Sequence, residues 1–151
     1  MTPEQVDTPT AILESAAELL RECTFDDIAY RALGERVGVS ERTIYRQFPT
    51  RSHLLTALAR HLETTTLAMP GFDSVTEFQR AVRAYFRALD LAPAYAYVVA
   101  RATTISPVDA ADPSQLTTDI RAMIAHEAPG LNSRDASRVA PSLRYFASAV
   151  L

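Results

Sequence analysis

A chain of 151 residues, 48% apolar and 22% charged, has the composition of a soluble globular protein, with room for one compact core or for a small head sharing helices with a larger body. A single cysteine excludes an internal disulfide, the acidic start Met-Thr-Pro-Glu-Gln-Val-Asp lacks the apolar run of a secretory leader, and both point to the cytoplasm. The longest uncharged apolar-rich run, Leu91 to Ala100, is too short to span a bilayer, so no membrane partner is expected.

Residues 1–7 read as an unstructured lead. Thr8 as N-cap and Pro9 at the first helical position open a helix. Ile12, Ala16, Leu19, Leu20 and Cys23 recur at helical spacing as one buried stripe, with Cys23 a packing residue rather than a redox sensor. A second helix starts near Asp27 and turns Tyr30, Leu33 and Val37 inward. Gly38 then takes the positive φ that ends it. Ser40 caps a short third helix, Glu41 to about Gln47, and Val39 and Ile44 form a hydrophobic staple across its entry. On this helix Arg42, Tyr45 and Arg46 share one face, and Ile44 and Phe48 lie opposite. Pro49 closes it. Thr50 caps a fourth helix running to about Met69, with Leu54, Leu55, Leu58 and Leu62 inward.

Met69-Pro70-Gly71-Phe72-Asp73 breaks the pattern and marks a connection. Beyond it Val75, Phe78, Val82, Tyr85, Phe86 and Leu89 form an apolar face, with Arg80, Arg83 and Arg87 off it as solvated residues. Pro93 restarts a helix bearing Tyr95, Val98, Val99 and Ala102. A loop from Ser106 to Pro113 precedes a helix with Leu116, Ile120, Met123 and Ile124, which Pro129-Gly130 ends. Asn132 or Ser133 caps a last helix with Val139, Leu143, Phe146 and Val150 inward and a kink at Pro141. No strand-like alternation or internal repeat occurs, so the fold class is all-α.

Charge singles out the third helix. From Arg42 to Arg60 there are four arginines and His53 but no acidic residue, in a chain of net charge −3. A basic face on a short helix after a glycine turn suits entry into a DNA groove, with neighbouring cations on phosphates. Charge alone serves equally well for a solvated face. The order Gly38-Val39-Ser40-x-x-Thr43-Ile44-Tyr45-x-x-Phe48-Pro49 resembles the recognition segment of the tetracycline-repressor-like (TetR) regulators. The resemblance extends back through Ala11-Ile12-Leu13, Ala16-Ala17, Leu19-Leu20, Phe25, Leu33 and Glu35-Arg36, and forward through Arg51 and Leu54-Leu55.

The resemblance implies a DNA-binding head over 8–68, its helix-turn-helix at about 28–47, joined by a long helix to a regulatory and dimerisation body over 69–151. It implies a repressor that binds a pseudo-palindromic double-stranded operator as a homodimer and that an unidentified small-molecule effector releases. Arg42, Thr43 and Arg46 are expected to read base edges, and Tyr45, Arg51, His53 and the Ser40 hydroxyl to hold phosphates. Gln47 stands where relatives carry an aromatic residue or histidine, so its DNA contact departs from theirs. Thr24 replaces a family glycine, and Ala29 replaces a capping, phosphate-contacting threonine. Asp26 or Asp27 could cap the second helix instead, but either would repel a phosphate. The effector pocket is expected among His61, Phe78, Tyr85, Phe86, Tyr95, Tyr97, Arg101 and Met123, although such a stripe equally describes plain core, and Arg101 equally suits an ion pair with a nearby carboxylate.

Neither a metal-ligand spacing, a phosphate loop nor a nucleophile elbow occurs, so no cofactor and no enzymatic activity are expected. The second reading is a helical ligand-binding or protein-interaction module whose DNA head is inactive. Related regulators pair two long C-terminal helices of each subunit, and here the sequence ends within the first of them. The body is therefore expected to be incomplete, with the homodimer belonging to a longer chain.

Overall fold

A computed structural model describes residues 7–105, 115–132, 134–136 and 138–140. Among these residues every regular element is helical: α1 Thr8–Leu19, a 3-10 turn Phe25–Asp27, α2 Tyr30–Val37, α3 Glu41–Gln47, α4 Arg51–Thr64, α5 Val75–Leu91, α6 Pro93–Ile105 and α7 Gln115–Glu127. Residues 134–136 and 138–140 are helical as well. No helix of the described residues is long and apolar enough to cross a membrane.

The ends of these helices follow from local chemistry. The Ser40, Thr50 and Ser74 side chains accept the backbone N–H of Thr43, His53 and Glu77 at the starts of α3, α4 and α5. Gly38 ends α2 at φ 76°, ψ 29°, and its N–H and that of Val39 both bond the Gly34 carbonyl. Four boundaries differ from expectation. Asp7, not Thr8, is the N-cap of α1, which moves Pro9 one position inward. The second helix starts at Tyr30 rather than near Asp27, because Phe25–Asp27 close a separate 3-10 turn. Neither Asp26 nor Asp27 caps α2; Asp27 instead accepts the Thr24 hydroxyl at 2.6 Å, and Thr24 is extended, with no positive φ. Finally, α4 stops at Thr64, where the Thr64 and Thr65 hydroxyls bond the His61 carbonyl and turn the chain.

Two cores result. The larger joins α1, α2, α3, α4, α6 and the end of α5 at Leu89, with Ile12, Leu33, Ile44, Leu54, Leu58 and Val98 fully buried. Each such side chain contributes roughly 1.5–3 kcal/mol on leaving water. Within it α4 lies along α6, and α1 packs on α2 and α4. The smaller core gathers Phe72, Ala81, Ile120, Met123, Ile124, Ala136 and Ala140. Some residues expected inward are not. Val75 and Val139 remain 45% and 41% exposed, and Phe78, Val82, Tyr85 and Phe86 are only half-buried, so the apolar face of α5 is incompletely covered by the described residues. Val37 is half-buried at the end of α2. Asn132 supplies the cap expected of Asn132 or Ser133, its Oδ1 accepting the Asp135 N–H at 2.9 Å. The loop 106–113 and the positions Pro141, Leu143, Phe146 and Val150 lie outside the described residues.

Candidate nucleic-acid interface

The helix-turn-helix is built around one close approach. A Cβ on Gly34 would lie 2.7 Å from the Val39 carbonyl oxygen, so only glycine lets the turn lie against α2. This brings α3 onto α2 and buries Ile44 completely and Phe48 almost so. The Tyr30 hydroxyl, which burial keeps protonated, donates to the Phe48 carbonyl at 2.9 Å and fixes the far end of α3. With its apolar side locked, α3 presents the opposite face outward. Arg42, Tyr45 and Arg46 are all exposed on it, Tyr45 by 52%. The Tyr45 ring rests on Tyr30, centroids 4.6 Å apart, and is held in place while its edge meets solvent.

Each predicted contact residue has a definite setting. Among the described residues, Arg42 and Arg46 make no ion pair or hydrogen bond. Thr43 is half-buried, and its hydroxyl lies 2.9 Å from that of Ser40, which also accepts the cap bond; the two hydroxyls are mutually engaged. Gln47 is half-buried at the last position of α3. His53 is exposed, with Nδ1 2.7 Å from the Thr50 hydroxyl, which leaves Nε2 as the outward nitrogen.

Arg51 is placed differently from its expected role as a phosphate contact. Its guanidinium donates to the Phe25 and Ile28 carbonyls and lies over the Phe25 ring, 4.5 Å from the centroid, and near Tyr30 at 5.8 Å. It fastens the start of α4 to the 3-10 turn and commits one N–H of each terminal nitrogen to the protein. Beside it an open cleft of about 380 Å³ is lined by Asp26, Ile28, Ala29, Tyr30, Glu41, Tyr45 and Arg51.

The eight residues expected to form an effector pocket are distributed, among the described residues, over the two cores and the outer side of α6. The Tyr95 hydroxyl donates to the Ala17 carbonyl at 3.1 Å, which ties α6 to α1. The Tyr97 hydroxyl donates to Asp26 at 3.1 Å, and Arg101 Nη1 pairs with both oxygens of the same carboxylate at 2.7 and 2.8 Å. Arg101 thus takes the ion-pair alternative, and the guanidinium beside Asp26 holds that carboxyl below its usual value. Phe78 and Met123 belong to the smaller core, whereas Tyr85 and Phe86, rings 6.1 Å apart, pack on the larger one. Burial pushes the Tyr85 hydroxyl up and keeps it neutral. His61 is half-buried on α4, where its carbonyl ends the helix.

Gly34, the Arg51 fastening and the pairing of Asp26 were not expected as site features. An isolated glycine inside α2 was the available signal for the first. The other two join residues far apart in sequence and carry no local sign.

Residues 12–58 match the model described as bacterial regulatory proteins, tetR family. A stretch of 63 residues is 33% identical to the nucleoid occlusion factor SlmA of Marinomonas sp. (strain MWYL1), covering 42% of this chain and only 32% of that protein. The fold of a TetR transcriptional regulator from Rhodococcus sp. RHA1 superposes with a TM-score of 0.60 at 19% identity, over 93% of this chain and 80% of the other. A TetR-family transcriptional regulator from Streptomyces coelicolor gives 0.59 at 24% identity, over 96% and 85%.

Proposed function

We propose that this chain is a tetR-type DNA-binding transcriptional repressor whose α3 enters the major groove of an operator half-site, a reading that the match of residues 12–58 to the tetR family of bacterial regulatory proteins supports. The observation that carries the reading is the state of the arginines. Those on α2 are committed, Arg31 to Glu35 at 2.8 Å and Arg36 to Glu22 at 3.2 Å, and Arg51 serves the fold. Arg42 and Arg46, on the outward face of α3, have no partner among the described residues and are open to an external anion or base edge. A guanidinium there can donate two hydrogen bonds to guanine O6 and N7. Thr43 lies between them. Tyr45, held by Tyr30, and His53 through Nε2 suit phosphate contacts that fix register. The Ser40 hydroxyl contributes mainly by capping α3.

One head reaches few base pairs, so the reading includes a homodimer with two heads about one helical turn apart on a pseudo-palindromic site. It also includes release by a small-molecule effector bound in the helical body. Support for that coupling is that α6 lies along α4 and reaches the 3-10 turn before α2 through Tyr97 and Arg101.

Salt titration of binding to duplex DNA tests the reading. Affinity should fall with a slope of log K against log[salt] steeper than about −3, as expected for several phosphate contacts. A chain that binds no duplex even at low salt would instead be a helical ligand-binding or interaction module.

A further inference from the structure

The cleft beside the recognition face contains a carboxylate that should oppose DNA. Asp26 lines it together with Glu41, Tyr45 and Arg51, and Tyr45 is a proposed phosphate contact. A bare carboxylate at this place would repel the backbone that Tyr45 is to hold. It is not bare. Arg101, 75 residues further along the chain, places Nη1 2.7 Å from Asp26 Oδ1, and the Tyr97 hydroxyl donates to Oδ2. Tyr97 and Arg101 stand one turn apart on α6, and Arg101 Nη1 also donates to the Tyr97 hydroxyl at 2.7 Å. The nearest other cation, Arg51, already serves two backbone carbonyls.

As a stabilising contact this ion pair counts for little, because both side chains are largely exposed, Asp26 by 58% and Arg101 by 41%. Its effect on the local field does not vanish with exposure in the same way, since the compensating charge sits directly on the carboxylate.

We propose that Arg101 is a positioning residue of the DNA-facing cleft: from the body helix α6 it neutralises Asp26, so that the face around Tyr45 accepts a phosphate more tightly while α6 is docked against the 3-10 turn. The proposal rests on the DNA-binding reading above and gives it a regulatory element. Any effector that draws α6 away from the turn uncovers a negative charge beside the phosphate path.

The test uses the full chain and random-sequence duplex DNA at low salt, with the wild type, Asp26→Asn, Arg101→Met, Arg101→Lys and the double variant Asp26→Asn/Arg101→Met. For a charge several ångströms from a phosphate, each uncompensated unit charge should change affinity about fivefold. R101M should bind about fivefold more weakly, D26N about fivefold more tightly, and R101K and the double variant like the wild type. All differences should shrink as salt rises. A purely mechanical clamp predicts another sign for one variant. D26N and R101M would then both weaken binding, and that result, or no change in either, overturns the proposal. D26N and R101K decide the matter by themselves if R101M fails to fold. Wild-type protein that binds no duplex at low salt overturns the DNA-binding reading itself, and this inference with it.

Discussion

Replacing Arg51 by methionine separates a fold-holding arginine from a phosphate-holding one. The guanidinium donates to two carbonyls, of Phe25 and Ile28, and lies 4.5 Å over the Phe25 ring. Methionine keeps the apolar stem and loses both hydrogen bonds and the charge. Two charge-assisted bonds at about 1.5 kcal/mol each, with about 0.5–1 kcal/mol for the cation over the ring, sum to roughly 3.5–4 kcal/mol in a fully buried setting. Arg51 is only half-buried, so water can replace part of this, and halving the sum gives about 2 kcal/mol. For a domain near 150 residues that is a fall in Tm of about 4–8 °C. The assay is thermal melting of the DNA-free protein, followed by circular dichroism. Arg51→Lys should lie between, because a single ammonium cannot reach two carbonyls with the geometry of the planar fork. An unchanged Tm in R51M, with duplex affinity falling equally for all sequences, would refute the reasoning and return Arg51 to the phosphates.

Three further outcomes are expected. Arg46→Ala should weaken specific binding by roughly 1–3 kcal/mol and relax base preference at one position per half-site, as read by binding to a randomised duplex library; equal loss on all sequences would make Arg46 a phosphate contact. Gly34→Ala must push a Cβ against the Val39 carbonyl, 2.7 Å away, and should cost about 1–3 kcal/mol in urea unfolding with α3 displaced, so a variant as stable as the wild type would contradict the close approach. The Asp26 carboxyl titrates below its usual 3.8 because of Arg101, so its contribution to stability is present above pH 3.8 and is lost as pH falls through the lower, folded value; wild type and D26N should differ in urea midpoint above about pH 4 and converge as pH falls below it.

The head was legible because its signals are short-range. A glycine that must take φ 76°, a serine and a threonine that cap the next helices, and a staple at Val39 and Ile44 are decided within five residues of where they act. The bounds of α3 therefore hold, and so does the division of its faces. In the body the same periodicity says which side of α5 is apolar but not what covers it, so Val75 stays exposed and the aromatic residues divide between two cores. Arginine shows the limit most clearly. Arg31 has a glutamate four residues on and is paired with it, whereas Arg42 and Arg46 have no carboxylate three or four residues away and are unpaired among the described residues. By that local rule Arg51 is as free as Arg46, since no acidic residue flanks it at helical spacing. The fold overrides the rule by bringing the carbonyls of Phe25 in the 3-10 turn and Ile28 just after it, 26 and 23 residues back, within its reach. Likewise Arg101 finds its carboxylate on the head rather than on its own helix. Which arginines of this chain stay open thus depends on the acceptors that the tertiary fold leaves near them, and by that measure Arg42 and Arg46 are the two of the helix-turn-helix and α4 start that no described residue engages.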